Sequence, residues 1–136
     1  MVNLLKFWRS ELSKKIIINV DSKTLEATLN ETKTSDLFYS KLPLTLTMDR
    51  WGGEYYGDCG IDGVNSDKTK VEMEPGELAI WPQGMALCIF FDKTPASVDD
   101  KPRAISPVFP IGKIEGDLSF LKNMGHSIEV LIDKVE

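Results

Sequence analysis

The chain has 136 residues, the usual size of one domain and enough to close a single hydrophobic core without disulfides or a structural metal. Hydrophobic residues make up 42% and charged residues 27%, ordinary globular proportions that exclude a disordered or collagen-like chain. The formal net charge of -5 repels phosphate backbones and anionic lipids, so neither a nucleic acid nor a membrane is an expected partner.

The few cysteines and histidines limit the chemistry that the chain can perform. Cys59, Cys88 and the single His126 are too few for a zinc site with four such ligands, and the turn-like setting of His126 suits a surface position better than a catalytic one. No apolar run approaches the roughly 18 residues of a membrane span, and Lys6 and Arg9 interrupt the apolar start. We therefore expect a cytoplasmic protein without a metal or a cofactor.

The first residues predict a short helix that is separate from the main domain. Apolar side chains recur there at helical spacing, at Leu4, Leu5, Trp8 and Leu12. We interpret residues 1–14 as an amphipathic appendage and residues 15–136 as the main domain. The appendage is a candidate dimerisation segment, so a homodimer is one expected oligomeric state.

The main domain begins with a pattern that is typical of β-structure. Residues 16–20 are mostly β-branched, and after a turn the residues 24–29 alternate between polar and apolar, which predicts a hairpin. Thr34 or Ser35 can cap a short helix that continues to about Leu42, where a proline forbids further helix.

The next segment predicts two strands. In Leu44–Met48 the apolar residues face one way, and Thr45 and Thr47 face the other, as in a half-buried strand. Trp51–Gly57 follows as a glycine turn and an aromatic strand.

The second half of the chain predicts more strands and a second helix. The strands are expected around residues 71–73, 78–80, 85–91 and 128–132. Asp92–Pro107 is expected to be a long loop, and loops of that length often border a binding site. Asp117 can cap a short helix that Gly125 terminates.

Together these elements predict a mainly β protein of about eight strands and two short helices. A closed barrel suits so many short strands because closure removes the exposed sheet edges. Periodicity alone leaves a β-sandwich as the alternative.

Three motifs in the right order favour the barrel. Pro75–Ile80 resembles the P-G-x-L-S-M-A strand of cyclophilins, Ala86–Thr94 resembles their Q-F-F-I-x-x-x-x-T strand, and Pro110–Ile114 resembles their V-F-G-x-V strand. A short helix follows the last of these strands in both. The resemblance covers roughly residues 15–134 and implies a closed cyclophilin-like β-barrel.

Within this superfamily the chain is more similar to the small prokaryotic cyclophilin-like proteins of unassigned function. The similarity lies in a W-G-x-E-x-Y segment that starts at Trp51, in the strand pair Gly76–Pro95 and in the closing strand Val108–Ile114. This resemblance implies the fold and says little about activity, because a shared fold does not carry a shared function.

Cyclophilins that isomerise prolines use an arginine in an F-H-R strand, followed by a Q-G-G segment. The arginine is needed because a hydrogen-bond donor must favour the twisted amide against a barrier of about 18–20 kcal/mol. The corresponding strand here is Leu44–Met48, and neither triplet occurs in the sequence. Arg50 and Arg103 are the nearby arginines able to substitute. In the Q-F-F strand Cys88, or Phe90 after a slip in register, takes the place of a pocket phenylalanine.

Several side chains are candidates for ligand contact. Trp51, Tyr55, Tyr56 and Trp81 can line a site for a flat apolar ligand, although packing of the barrel is the competing interpretation for each aromatic residue. The complete set of candidates is Arg50, Trp51, Tyr55, Trp81, Gln83, Cys88, Phe90 and Arg103. No catalytic residue is assigned.

Three functions are compatible with this pattern. We favour a domain that binds a peptide segment or small molecule in an outer groove formed by the threonine strand, the strand 85–91 and the long loop. The alternatives are a prolyl isomerase with a non-standard arginine, Arg50 or Arg103, and an enzyme of another class that reuses the groove.

Overall fold

The computed structural model describes residues 14–135. It contains nine strands, one α-helix and two 3-10 turns: β1 Lys15–Val20, β2 Lys23–Leu29, α1 Lys33–Ser40, β3 Leu44–Trp51, β4 Glu54–Asp58, β5 Lys70–Glu72, β6 Glu77–Trp81, the turn Pro82–Gly84, β7 Ala86–Phe90, β8 Arg103–Glu115, the turn Ser119–Asn123, and β9 Ser127–Lys134. The predicted appendage over residues 1–14 lies outside the described residues, apart from Lys14. No helix within the described part of the chain is long and apolar enough to cross a membrane.

Eight of the strands form a closed ring. The hydrogen-bonded order is β2-β1-β9-β3-β4-β7-β6-β8, and β8 pairs back onto β2 to complete it. All of these pairs are antiparallel. The mainly β, barrel-like architecture predicted from the sequence is therefore confirmed.

The alternation along β3 is also as predicted. Leu46 and Met48 are buried in the core, and Thr45 and Thr47 are exposed. The period of two holds because successive side chains of a strand point to opposite faces of the sheet.

Three predicted details are wrong. The cap of α1 is Thr32, whose side chain accepts a hydrogen bond from the Ser35 backbone N–H, instead of Thr34 or Ser35. The second helix is a five-residue 3-10 turn, although Asp117 does accept a hydrogen bond from the Ser119 N–H at its start. The expected loop 92–107 is shorter, because β8 already begins at Arg103 and pairs with the distant β5.

The protein has a second hydrophobic cluster outside the ring. Its fully or almost fully buried members are Met73, Ala79, Cys88, Phe90, Ala104 and Val108. Strand β7 is therefore buried on both faces: Leu87 and Ile89 belong to the ring core, and Cys88 and Phe90 belong to the outer cluster. The first half of β8 covers this outer face, and the candidate site lies here.

Candidate functional site

A cavity of about 240 Å³ lies next to the outer cluster, between β4, β6 and the first half of β8. Among the described residues its lining combines three aromatic side chains, one carboxyl group and three aliphatic side chains: Trp51, Tyr56, Trp81, Glu54, Ala104, Ile105 and Val108. The cavity is mostly apolar, and the Glu54 carboxyl group and the Tyr56 hydroxyl group are polar groups able to direct a ligand, as in typical small-molecule sites.

The turn between β3 and β4 brings Trp51 and Glu54 together. The two residues are direct partners across the hairpin, and only Gly52 and Gly53 separate them. Directly opposed residues of an antiparallel pair have Cβ atoms roughly 4.5–5.5 Å apart on the same face. The turn therefore places an indole ring beside a carboxyl group.

Both glycines of this turn are required by its surroundings. Gly52 has a φ of +59°, a backbone conformation that residues with a side chain rarely adopt. A Cβ atom on Gly53 would lie 2.2 Å from the backbone carbonyl carbon of Asp92. The Gly53 N–H donates to the Lys93 carbonyl at 2.7 Å, so the segment after β7 holds the turn in place.

Trp81 is held from two sides. Its Nε1–H donates a hydrogen bond to Ser106 Oγ at 2.8 Å. Ser106 lies in β8, and its hydroxyl also reaches Gln83 Oε1 at 3.4 Å. On the other side Gly84 lies so close to the indole that a Cβ there would approach Cε3 and Cζ3 to 2.7 Å. The ring is therefore oriented by β8 and by the tight 3-10 turn.

Glu54 is the electrostatically unusual residue of the cavity. Its side chain is buried, and the burial raises its pKa from 4.5 to about 7, while a hydrogen bond with Cys88 opposes part of the rise. Among residues 14–135, no ion pair includes this carboxyl group. Glu54 is therefore a carboxyl group that can gain or lose a proton near neutral pH.

Cys88 lies on the neighbouring strand β7, two residues from the direct partner of Glu54, and it does not line the cavity. Burial raises the pKa of its thiol well above 9.0, and the neighbouring Glu54 raises it further. A thiol in this state is protonated at neutral pH and is a poor nucleophile. Phe90 is the direct cross-strand partner of Glu54 and is fully buried in the same outer cluster.

Arg50 and Tyr55 lie on the opposite face of the hairpin from the cavity. The Arg50 guanidinium donates to the carbonyls of Gly52 at 2.8 Å and Lys122 at 2.9 Å, and it lies 5.1 Å from the centre of the Phe91 ring. Tyr55 is fully buried, and its hydroxyl donates to the Gly125 carbonyl. Both residues connect the hairpin to the segment around residues 121–125.

Of the eight candidates, Trp51 and Trp81 line the cavity. Gln83 does not line it and accepts a hydrogen bond from Ser106, the partner of Trp81, and Cys88 and Phe90 belong to the adjoining outer cluster. Arg103 starts β8 without lining the cavity, and the exposed threonines of β3 do not line it either.

Sequence reasoning missed Glu54 and the β8 residues. The signal for Glu54 was its position directly across a two-residue glycine turn from Trp51. No comparable signal existed for Ala104, Ile105 and Val108, which the sequence placed in or just after a loop.

Comparisons with known proteins agree with this architecture. The chain matches the model of the family described as Cyclophilin-like over residues 14–133. It is similar to the solution structure of the hypothetical protein AF2241 from Archaeoglobus fulgidus, with 30% sequence identity and a TM-score of 0.73, over 91% of this chain and 96% of that chain. The search of curated proteins found no match. Because the family match spans nearly all of the described residues, the chain belongs to the cyclophilin-like family.

Proposed function

We propose that this protein is a binding domain whose cavity accepts a small molecule or one side chain of a peptide. The observation that carries the proposal is the convergence of Trp51, Tyr56 and Trp81 on a cavity that they leave unfilled. Aromatic rings that only packed the barrel would be expected inside it, whereas these three are partly exposed on its outer face.

The size and surroundings of the cavity support a small ligand group. Its 240 Å³ lies just below the range of about 300–1,000 Å³ for drug-sized ligands. Ile105, at 65% exposure, adds an apolar surface at the rim that a longer ligand or peptide can contact. One amino-acid side chain or a compact metabolite fits this description.

The isomerase alternative has less support. That reaction needs a cationic donor beside the bound amide, and among the described residues neither Arg50 nor Arg103 lines the cavity.

An enzyme of another class is the second candidate, because Glu54, with a pKa of about 7, is suited to general acid–base catalysis. Chemical conversion of a bound ligand would identify that case.

A thermal-shift screen of metabolites and short peptides tests the proposal. A ligand at about one hundred times its Kd stabilises the folded state by about 2.7 kcal/mol. We expect at least one hit whose stabilisation is lost in Trp81→Ala. Phe120→Ala is the matched control, because Phe120 is a half-buried aromatic residue outside the cavity. Hits that respond equally to both substitutions, or no hits, would contradict the proposal.

The remaining expectations from the sequence stay predictions. They are a location in the cytoplasm, a peptide or small-molecule partner, and a possible homodimer through residues 1–14. Sedimentation of the full chain and of a chain without residues 1–14 tests the last of them.

A further inference from the structure

We propose that the ligand of this cavity is an organic cation, such as an alkylated ammonium group, with Glu54 as its counter-ion and the rings of Trp51, Tyr56 and Trp81 as its walls. The inference rests on the proposed binding function and adds the chemical class of the ligand.

The charge of the cavity lining favours a cationic ligand. Glu54 is the only ionisable acid or base among the described lining residues apart from the Tyr56 phenol. A buried carboxylate without a cation is costly, and the cost falls when a positive charge arrives beside it. A neutral apolar ligand would bury this carboxylate further without a partner, and an anionic ligand would be repelled.

The three aromatic rings of the lining also favour a cationic ligand. A cation is attracted to the face of an aromatic ring, most strongly to that of tryptophan, and recognition of alkylated ammonium groups by several rings follows from this attraction. Two of the three rings here are indoles. The aliphatic side chains of Ala104, Ile105 and Val108 suit the alkyl groups of such a ligand.

A metal ion fits the cavity poorly. Hard cations need several oxygen ligands, and no group of three or more His, Cys, Asp or Glu side chains that could hold a metal occurs among the described residues. One carboxyl group among aromatic and aliphatic walls fits an organic cation better.

The ionisation of Glu54 is expected to control the affinity for the cation. The titratable or charged residues on neighbouring strands are Asp49 of β3, Tyr56 of β4, Cys88 of β7, Arg103 of β8 and, on the same face of β6 as Ala79 and Trp81, Glu77, which pairs with Lys70 of β5. Of these, Cys88 alone affects the pKa of Glu54, which burial raises to about 7. Because the cation pairs with the ionised form, its affinity is expected to fall about tenfold per pH unit below pH 7 and to level off above it.

The test compares choline with 3,3-dimethyl-1-butanol, which has nearly the same shape and no charge. Both are titrated into the full chain at pH 8, and binding is followed by the indole N–H signals of Trp51 and Trp81 in NMR spectra. We expect choline to bind at least about tenfold more tightly. We expect Glu54→Gln to abolish this preference, and Glu129→Gln, at an exposed acid on β9, to retain it.

Each outcome decides the inference. Equal or tighter binding of the neutral compound, or a choline preference that survives Glu54→Gln, would overturn it. The pH dependence of choline binding to the unaltered protein provides a test that needs no variant, and an affinity that is constant between pH 5.5 and 8 would also overturn it. If neither compound binds but the thermal-shift screen finds neutral ligands of the cavity, the cation inference fails and the binding function stands. If no ligand of any kind binds, both fail.

Discussion

Trp51 and Glu54 are direct partners across a two-glycine turn, so an indole and a buried carboxyl group share one wall of the outer cavity. Only Gly52 and Gly53 separate these two residues in the chain. The unusual chemistry of Glu54 arises only when β7 and β8 bury it.

The pKa of Glu54 predicts how stability depends on pH. The folded-state pKa of about 7 lies above the ordinary value of 4.5, so between these pH values the folded state retains a proton that the unfolded state has lost. Stability is therefore expected to fall as pH rises from 4.5 to 7, by up to about 3 kcal/mol in total.

Urea denaturation of the unaltered protein and of Glu54→Gln at several pH values measures this effect as the difference between the two curves. Glu129→Gln serves as the exposed control and is expected to keep the pH dependence of the unaltered protein. Parallel curves for the unaltered protein and Glu54→Gln would show that Glu54 titrates normally.

Gly84→Ala is expected to displace the Trp81 ring. The new methyl group would meet Cε3 and Cζ3 at 2.7 Å, and such overpacking costs about 1–3 kcal/mol. We expect a lower midpoint of urea unfolding, a shifted indole N–H signal and weaker binding of any cavity ligand. Gly125→Ala is the matched control, since a Cβ there meets nothing within 4 Å. A normal indole signal in Gly84→Ala would contradict the close packing of Gly84 against the Trp81 ring.

Arg50→Ala is expected to destabilise the protein. The substitution removes hydrogen bonds to the Gly52 and Lys122 carbonyls and the contact with Phe91, and hydrogen bonds of charged groups contribute about 1.5–3 kcal/mol. Thermal and urea unfolding measure the loss of stability.

In a protease-coupled proline isomerisation assay, we expect the same rate for the unaltered protein, Arg50→Ala and Arg103→Ala. A rate above background that either substitution removes would support the isomerase alternative.

The two cysteines are expected to differ in reactivity. Cys88 is buried with its pKa well above 9.0, whereas Cys59 is half-buried and its pKa is also raised by burial. With iodoacetamide at pH 8 we expect slow labelling of Cys59 and protection of Cys88, and rapid labelling of both in urea. Mass spectrometry of peptides locates the label. Rapid labelling of Cys88 in the folded protein would show that the outer cluster opens readily.

The sequence by itself determined the features that depend on neighbouring residues. The alternation in Leu44–Met48 defines a half-buried strand, the pattern of 16–29 defines a hairpin, and Pro43 limits α1. These local patterns predicted strands, because the period of side-chain burial is set within each strand. The preference for a closed barrel over a sandwich came from the resemblance of the motifs at 75–95 and 108–114 to cyclophilin-like proteins.

The cavity was decided by tertiary structure alone. Arg103–Val108 becomes a strand because it pairs with β5, some thirty residues earlier, and this pairing covers the outer face of β7. Glu54 is buried on this face, beside Phe90 of β7 and in the same cavity wall as Ala104 and Val108 of β8. Desolvation depends on which distant segments surround a group, and no property of a single glutamate in a sequence records it.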